Sequence, residues 1–518
     1  MKYVLGMDCG TTNCKAVIIS EEGRTVAEAA CPNRFIRPEQ GYHEQDADEW
    51  WRNAVRLFRS LREQAGSRIM ERVAGICVSS HTVSMLPVDD RGRPLRNAIT
   101  YQDERSYGEL RYIVDKIGRE RFAEIVGGQP SVAFLPNKLL WYKTHEPDLF
   151  SRTYRVMQAS SYINLKLTGV YSSDIDQASR TQCLDIGTGR WSEEIGQCIG
   201  VELGEILPPL YAVKDVIGTV TKEAAEETGL KEGTPVIAGC SDAMASVYAL
   251  GLSAFGDAGE SSGTTSLCFF GSKVKGGLET PVVTRKCEIK DMPYIFDAPI
   301  QTSGAAIKWF IDKFAGEERM QAGEENMDIY AYLNRLALET VPGSHGLLFF
   351  PYLLGERAPL WNAYARGMFI GLGMDTSRAD LARSVFEGTA FALKHVYSVV
   401  REAGGAATSF RICGGGAKSR TWCRIKAAML DMPVYILSEG AGDVPVGDAL
   451  IVGHGMNIFP DLKEAAERII KVQEIIEPDR EWVQVYDALY PYYVEMYRRL
   501  DSCLEGYKNT VDTLKSGF

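Results

Sequence analysis

Apolar and polar segments alternate over the opening of the chain in the way that antiparallel strands joined by short turns do. Apolar and β-branched residues predominate in Tyr3–Met7, Ala16–Ile19 and Thr25–Ala29, whereas Gly10-Thr11-Thr12 and Glu22-Gly23 lie between them. The chain is therefore predicted to open with a three-stranded β-meander.

A similar pattern begins near the middle of the chain. Val236–Gly239 is predicted to be a buried strand, and Gly259–Ser266 contains a second Gly-Thr-Thr turn ahead of the apolar segment Leu267–Phe270. Between the two occurrences, residues 109–230 carry apolar residues at three- and four-residue spacing, which predicts mainly helices. Because 518 residues exceed what one hydrophobic core can serve, the repetition predicts two related α/β domains.

Small residues mark the predicted boundary between these domains. Ala249–Gly256 is suited to a hinge, and we place the domains at residues 1–249 and 250–518. The last predicted helix runs from Tyr486 to about Leu504 with its apolar residues on one face. Such a face is typical of a packing surface or a dimer contact, so a homodimer is left open.

Composition narrows the classes of partner. The formal net charge is −11 and no basic face stands out, which argues against nucleic-acid binding. Gly, Pro or charged residues break the apolar runs before they reach membrane-spanning length, and Asp8 falls where a secretory signal would stay apolar. The twelve cysteines are scattered singly, without zinc-ligand spacing. We expect a cytoplasmic protein that binds neither membranes nor nucleic acid.

The first Gly-Thr-Thr turn carries residues suited to phosphate. Gly10 allows close backbone approach, the hydroxyls and amides of Thr11 and Thr12 can donate to phosphate oxygens, and Lys15 adds positive charge. Asp8, at the end of the preceding strand, could hold a hydrated Mg²⁺. A polar hairpin without a ligand explains this motif, taken alone, equally well. No Walker sequence occurs, and no Gly-x-Gly-x-x-Gly occurs in a nucleotide-binding context, which disfavours P-loop and Rossmann folds.

Further motifs follow in an order that resembles one known family. They are Gly41–Asp46 with Trp50-Trp51, Lys138–Trp141, Leu167–Gly169, Gly239–Asp242, Gly367–Leu372 followed by Asp380–Glu387, and Gly414–Ser419. Over nearly its whole length the chain resembles the FGGY family of carbohydrate kinases, and within it the pentulose kinases typified by xylulokinase. The resemblance implies an α/β fold of two actin-like (ribonuclease H-like) domains with a nucleotide cleft between them, and ATP and Mg²⁺ as cofactors.

The resemblance also implies roles for single residues. Asp242 matches the family's catalytic aspartate, which takes the proton from the sugar hydroxyl as that hydroxyl attacks the γ-phosphate. A helix N-cap ahead of Ala243–Ala249 is compatible with the same position. The residues that match nucleotide-binding segments are Gly10, Thr11, Thr12, Lys15, Gly263, Thr264, Gly304, Lys308, Gly415 and Ser419.

The sugar side matches the family less closely. Where xylulokinases have Gln-Met-His-Gly, this chain has Ser79-Ser80-His81-Thr82, and Tyr101–Arg105 stands in place of Trp-Asn-Asp-x-Arg. The implied substrate contacts are Ser80, His81, Asp103 and Asp242, with a surface ion pair to Arg105 as the alternative for Asp103. Because paired hydrogen bonds select sugar hydroxyls, the altered neighbours leave the choice of sugar open.

The expected function is ATP-dependent phosphorylation of a sugar hydroxyl, most simply of a ketopentose such as xylulose. Ribulose, gluconate, erythritol and glycerol are alternative substrates within the family. An actin- or Hsp70-like ATPase switch would share the paired Gly-Thr loops, but nothing resembling its peptide-binding domain is expected here. A sugar-responsive repressor is disfavoured because we expect no helix-turn-helix ahead of the first strand.

Overall fold

The computed structural model describes residues 1–276, 281–289 and 291–516. Its strands are β1 (Tyr3–Cys9), β2 (Asn13–Ser20), β3 (Thr25–Pro32), β4 (Glu44–Gln45), β5 (Val73–Ser80), β6 (Ser84–Val88), β7 (Ala98–Thr100), β8 (Arg155–Met157), β9 (Ser173–Asp174), β10 (Leu184–Asp185), β11 (Arg190–Trp191), β12 (Leu210–Tyr211), β13 (Val216–Thr219), β14 (Pro235–Ile237), β15 (Cys240–Ser241), β16 (Gly256–Ser262), β17 (Ser266–Ser272), β18 (Val283–Ile289), β19 (Met292–Ile300), β20 (Leu348–Phe350), β21 (Met368–Ile370), β22 (Ala407–Gly414), β23 (Val434–Leu437) and β24 (Val472–Ile476).

Helices connect these strands on both halves of the chain. They are α1 (Ala47–Ala65), α2 (Ser67–Met70), α3 (Tyr107–Ile117), α4 (Arg119–Val126), α5 (Leu135–His145), α6 (Pro147–Ser151), α7 (Ala159–Thr168), α8 (Ile175–Arg180), α9 (Glu193–Ile199), α10 (Leu203–Ile206), α11 (Lys222–Thr228), α12 (Asp242–Ala249), α13 (Gly304–Lys313), α14 (Gly316–Glu324), α15 (Ile329–Leu336), α16 (Arg378–Glu402), α17 (Arg420–Leu430), α18 (Val444–Gly455), α19 (Leu462–Ile469) and α20 (Arg480–Ser516). Short 3₁₀ turns cover Ser344–Gly346 and Gly415–Lys418.

The described chain forms two compact units, each built from strands and helices. The first unit consists of Met1–Ala254, Thr284–Tyr294 and Gly440–Ile470, and the second consists of the other described residues. The chain first passes from one unit to the other between Ala254 and Phe255, within the small-residue segment at 249–256. Two later segments return to the first unit, which local sequence pattern did not predict.

The main sheet of the first unit has the strand order β13-β14-β5-β1-β2-β3. The predicted meander is observed, because β1 pairs antiparallel with β2, and β2 with β3. On its other side β1 runs parallel to β5, and β5 runs parallel to β14 and to the short strand β15. Every residue of β1 is buried, as is usual for a central strand covered on both faces.

In the second unit, strands β19-β17-β16-β22-β23-β24 repeat this arrangement as part of a seven-stranded sheet. Strands β16 and β17 pair antiparallel around the second Gly-Thr-Thr turn, where Ser262 pairs with Ser266. Strand β16 also runs parallel to β22, so that Ser262 pairs with Gly414. The turn at residues 263–265 and the glycine-rich turn that begins at Gly414 therefore lie side by side.

Each unit has its own hydrophobic core. In the first unit, Trp50 and Phe58 of α1 pack with β1 and β5, and Asp46 caps the helix by accepting a hydrogen bond from the amide of Asp48. In the second unit, α16 and α17 pack around Phe410 and Ile412 of β22. Asp46 therefore marks the start of α1, and Trp50 is a core residue.

Helix α18 belongs to the first unit although it follows residue 440. Its residues Pro445–Gly453 are all buried, and it packs on β1 and α12. The approach is close, because a Cβ at Gly6 would overlap the carbonyl oxygen of Pro445, and one at Gly447 would overlap that of Ala245. Glycine at both positions therefore allows backbone-to-backbone packing.

The last helix, α20, is longer than the predicted segment 486–504 and begins at Arg480. Tyr486, Tyr493, Tyr497 and Leu504 are buried on its packing face, whereas the apolar Met496 is 36% exposed. Tyr493 stacks on Phe350 and Phe391 of the second core, and Tyr497 packs at a tilt against Phe350. The homodimer stays a prediction.

Candidate active site

Three strand ends bring together Asp242, the predicted catalytic residue, and Asp8, the predicted metal-site residue. Asp8 of β1 lies beside Ser79 of β5, and Ser79 lies beside Cys240 of β15. Parallel strands end at the same edge of a sheet, so the residues that follow them share one site. Asp242 begins α12 at this edge, directly after β15.

The carboxylates of Asp8 and Asp242 influence each other at this edge. Burial raises the pKa of Asp8 well above its ordinary value, and the negative charge of Asp242 raises that pKa further. Ser79 and Lys15 act in the opposite direction. Because the carboxylates of Asp8 and Asp242 repel each other, a cation is favoured beside them.

A third acidic residue, Asp448 of α18, lies in the same network and was not singled out from the sequence. It is fully buried, and Ser79 donates its hydroxyl to Asp448 Oδ2 at 2.7 Å, with Asp8 Oδ1 3.4 Å away. Burial raises the pKa of Asp448, and so do the charges of Asp8 and Asp242. No local signal marks this residue, because its partners lie more than three hundred residues earlier in the chain.

Helix α12 presents Asp242 in its first turn. Ser241 is the N-cap, since its hydroxyl accepts from the amide of Met244 at 3.1 Å, and Asp242 Oδ1 accepts from the amide of Ala243 at 2.7 Å. The N-cap of α12 is therefore Ser241 and not Asp242. The side chain of Asp242 is only partly buried, which leaves it accessible to a substrate.

A fully buried carboxylate fixes the turn ahead of Asp242. Asp176 of α8 accepts hydrogen bonds from the amide of Ser241 at 3.0 Å and from the Ser241 hydroxyl. Its other oxygen accepts from Arg180 Nε at 3.0 Å. Asp176 was also missed from the sequence, because a carboxylate on a short helix carries no sign of its distant partner.

The first Gly-Thr-Thr turn is accessible, and its carbonyl groups accept hydrogen bonds from other parts of the first unit. Asn33 donates to the carbonyls of Gly10 and Thr12, and Gln45 Nε2 donates to the carbonyl of Thr11 at 2.9 Å. Gly10 and Thr11 are half-buried and Thr12 is exposed. Because the turn is accessible, its amides and hydroxyls can donate to phosphate oxygens.

Lys15 returns on β2 opposite Asp8 in the antiparallel register. Its ammonium group lies 3.4 Å from Asp443 Oδ2, and both side chains are about half-exposed. An exposed pair of this kind is weak. Lys15 can therefore exchange its partner for a phosphate at little cost.

His81 follows β5 and is buried. Its Nδ1 donates to the carbonyl of Cys9 at 3.0 Å, which makes Nε2 a hydrogen-bond acceptor. Among the described residues Nε2 has no hydrogen-bond partner, and burial lowers the pKa of His81 to about 4. The imidazole is therefore neutral at pH 7 and offers one acceptor to a hydroxyl group.

Ser80 and Asp103 have protein partners in this structure. The Ser80 hydroxyl accepts from Ser160 N and Gln177 Nε2, and its side chain is fully buried. Asp103 is fully buried and accepts from the amide of His43 at 2.6 Å and from Arg105 at 2.7 Å. The ion pair with Arg105 is thus in the interior rather than on the surface.

The second unit contains a cavity of about 490 Å³. Six residues that matched nucleotide-binding segments line it: Gly263, Thr264, Gly304, Lys308, Gly415 and Ser419. They come from three separate stretches of chain that the sheet order places side by side. This convergence was not contained in any single motif.

Other residues that line the cavity were not among those assigned to nucleotide binding from the sequence. They are Ala305, Ile307, Asp328, Tyr330, Ala331, Asn334, Phe386, Gly416, Lys418 and Trp422. Aromatic and aliphatic side chains predominate, with a few polar groups, a mixture typical of small-molecule sites. Ser419 links two other lining residues of the cavity, because its hydroxyl donates to Asn334 Oδ1 and accepts from the amide of Trp422.

Two family models match the chain. The N-terminal domain of the FGGY family of carbohydrate kinases matches residues 3–249, and the C-terminal domain matches residues 260–456. The chain belongs to the FGGY family of carbohydrate kinases. The kinase thus uses ATP as phosphate donor and a sugar hydroxyl as acceptor, and its small-molecule partner is a sugar.

Individual relatives resemble the kinase over nearly its full length. The xylulose kinase of Bacillus subtilis is 28% identical over 513 residues, which cover 98% of this chain and 100% of that protein. The gluconokinase of Bacillus subtilis is 27% identical over 508 residues, covering 96% of each. The crystal structure of xylulose kinase from Rhodospirillum rubrum gives a TM-score of 0.89 at 29% identity, covering 97% of this chain and 100% of that one.

These findings confirm the family assignment and the α/β fold of two actin-like (ribonuclease H-like) domains. In the part of the kinase that the structure describes, no helix combines the length and apolar character that crossing a membrane requires. The roles assigned to single residues stay predictions.

Asp176→Asn is expected to lower kcat of the kinase by about 10–100-fold, because a misplaced catalytic group costs rate steeply. Both carboxylate oxygens of Asp176 accept hydrogen bonds, so an amide nitrogen at either position faces a donor. The Kd for ADP should stay near the wild-type value. Steady-state kinetics and calorimetric ADP titration measure the two quantities.

Asp185→Asn is the matched control, because Asp185 accepts two amide hydrogen bonds in a turn of the same unit. An equal loss of kcat in both variants would contradict a specific role of Asp176.

Proposed function

We propose that this kinase transfers the γ-phosphate of ATP to a hydroxyl group of a ketopentose, with xylulose as the substrate. The observation that carries the proposal is the single cavity lined by all six residues that match the family's nucleotide segments in the second unit. The pentose is supported by the two xylulose kinases, which are similar to this chain over almost their whole lengths.

Asp242 is the proposed general base. It takes the proton from the sugar hydroxyl while the oxygen attacks the γ-phosphate, a role typically worth about 10²–10⁴ in rate. Gly10, Thr11, Thr12 and Lys15 donate to the phosphate groups. Phosphoryl transfer needs little covalent chemistry from the protein, so positioning and charge carry most of the catalysis.

Asp8 is the proposed metal-site residue, and Mg²⁺ fits the chemistry around it. The mutual repulsion of Asp8 and Asp242 would be relieved by a divalent cation. Among the described residues no group of three or more carboxylate, histidine or cysteine ligands surrounds a common point. Mg²⁺ typically keeps several waters and one or two carboxylates, which agrees with such a sparse site. When bound with ATP, it would neutralise charge on the phosphate groups.

The charges of the predicted sugar contacts favour a neutral substrate over gluconate. His81 is neutral at pH 7, since burial lowers its pKa to about 4. Ser80 carries no charge, and Asp103 and Asp242 are acidic residues. A carboxylate on the substrate would meet no cation among these four residues, which supports a ketose rather than a sugar acid.

We also propose a cytoplasmic location, because the kinase consumes ATP, and ATP is supplied in that compartment.

A substrate panel tests the proposal. Xylulose, ribulose, gluconate, erythritol and glycerol are each incubated with ATP and Mg²⁺, and ADP release is followed by a coupled assay. We expect kcat/KM for xylulose to exceed that for each other compound by about tenfold or more.

A higher kcat/KM for another member of the panel would overturn the assignment of xylulose as the substrate and would leave the kinase assignment intact. ATP consumption that no sugar or polyol stimulates, but that an unfolded peptide does, would instead support the ATPase-switch alternative.

A further inference from the structure

A buried ion pair lies beneath the cavity of the second unit. Glu260 of β16 and Lys426 of α17 are each 1% exposed. Lys426 Nζ donates to both carboxylate oxygens of Glu260, at 2.8 and 2.7 Å, and lies 3.7 Å from the centre of the Trp422 ring. Neither charged residue lines the cavity, whereas Trp422 does.

Short hydrogen-bonded links lead from this pair to two segments that line the cavity. The Ser266 hydroxyl donates to Glu260 and is hydrogen-bonded to the Ser303 hydroxyl at 2.7 Å. Lys426 Nζ also lies 3.5 Å from Ser262 Oγ. Ser262 and Ser303 immediately precede the cavity-lining residues Gly263 and Gly304.

The two segments are also joined directly. The amide of Gly304 donates to the carbonyl of Gly263 at 3.1 Å, and the amide of Ala305 donates to that of Thr264 at 3.0 Å. A Cβ at Gly304 would overlap the Gly263 oxygen, so only glycine allows this approach. Glycine segments have little intrinsic rigidity, and their positions are set by what lies beneath them.

Trp422 connects the ion pair to the third stretch, which contains Gly415 and Ser419. Its indole N–H donates to Thr389 Oγ1 at 3.0 Å, and its ring contacts the cation of Lys426. A Cβ at Gly416 would approach the Trp422 ring to 2.7 Å and overlap the Ser262 hydroxyl. The ion pair thus touches or supports the three stretches of chain that carry the six nucleotide-matching residues of the cavity.

Stability alone does not account for a pair in this place. A buried ion pair contributes little compared with apolar packing of the same volume, because desolvation offsets the attraction of the charges. Its specific contribution is geometric, since fully hydrogen-bonded charges permit one arrangement of their neighbours.

We propose that Glu260 and Lys426 are positioning residues for the nucleotide, which hold the Gly263-Thr264 and Gly304-Ala305 segments and Trp422 in the arrangement that binds ATP. The inference rests on the proposed assignment of this cavity to ATP. The ion pair acts through nucleotide affinity, so ADP binding and the KM for ATP are the properties that change when the pair is removed.

The double variant Glu260→Gln/Lys426→Met tests the inference, because it removes both charges and leaves neither one buried alone. We expect the Kd for ADP and the KM for ATP to rise about tenfold, with the KM for the sugar within about twofold of wild type. Titration calorimetry with ADP and steady-state kinetics measure these values. A wild-type Kd for ADP in the folded double variant would overturn the inference.

Ser303→Ala serves where the double variant does not fold. It removes the hydroxyl that links the pair to Gly304 without exposing a buried charge, and we expect the Kd for ADP to rise about threefold. An unchanged Kd in this variant would also overturn the inference.

Arg383→Met/Glu387→Gln is the matched control. Arg383 and Glu387 form another buried ion pair of the second unit, 1% and 2% exposed, and both bond to Tyr486 rather than to a cavity-lining residue. We expect this variant to lose thermal stability and to keep its Kd for ADP within about twofold of wild type. An equal rise of the Kd in the control would show general loosening and contradict the positioning role.

Thr264→Val separates this inference from the proposed function. If Thr264→Val leaves ADP binding unchanged, the nucleotide binds elsewhere and the assignment of the cavity fails together with the inference. If Thr264→Val weakens ADP binding and the Glu260/Lys426 variant does not, only the positioning role fails.

Discussion

Asp242→Asn should lower kcat by about 10²–10⁴-fold, the usual contribution of a general base. The amide of asparagine cannot take the proton of the attacking hydroxyl at neutral pH. The fold should be retained, because Ser241, and not Asp242, caps α12 through the amide of Met244. Initial rates at saturating ATP and sugar measure the loss.

Nucleotide binding by the same variant provides the internal check. The proposed nucleotide cavity lies in the second unit, so the Kd for ADP should stay within about twofold of wild type. Asp461→Asn is the matched control, because Asp461 caps α19 by accepting from the amide of Glu464, and asparagine caps a helix about as well. Near-normal turnover by Asp242→Asn would reject the assignment of the base.

Gly447→Ala should destabilise the kinase by about 2–3 kcal/mol, at the upper end of what overpacking costs. The new methyl group would overlap the Ala245 carbonyl oxygen and lie 2.7 Å from the carbonyl carbon, and neither backbone atom can rotate away. Relief requires α12 and α18 to separate, and α12 begins with Asp242. We therefore expect kcat to fall as well as stability.

Gly506→Ala is the control for this change, because Gly506 lies within α20 and has no atom within 4 Å of an added Cβ. Alanine has the higher helix propensity, so stability should stay the same or rise by up to about 1 kcal/mol. Urea unfolding of the three proteins gives the free energies of unfolding. A Gly447→Ala protein as stable as wild type would contradict the close helix packing.

Local pattern was sufficient for much of the fold. The alternation around Gly10-Thr11-Thr12 and around Gly263-Thr264-Thr265 predicted the two hairpins, and β1–β2 and β16–β17 are found there. Hairpins can be predicted from sequence because the alternating strand pattern and the turn residues lie within a few positions of each other. The start of α1 at Asp46 is a signal of the same local kind.

The candidate site was predictable from residue chemistry at the first Gly-Thr-Thr turn and Asp8, and elsewhere from the family resemblance. Asp8, Asp242 and the glycine segments were located by their motifs. Asn334, Tyr330 and Trp422 were not, because residues on ordinary amphipathic helices are indistinguishable from surface or core positions until the helices pack.

By itself the sequence determined the two hairpins with their Gly-Thr-Thr turns, the family and, through it, the fold class and the reaction. Only the tertiary structure decided that α18 packs on β1, that Asp176 holds Ser241, and that Glu260 and Lys426 are buried together. The reason is physical: charged residues are usually exposed, and a buried one is stable only beside a partner that the fold brings from a distant part of the chain.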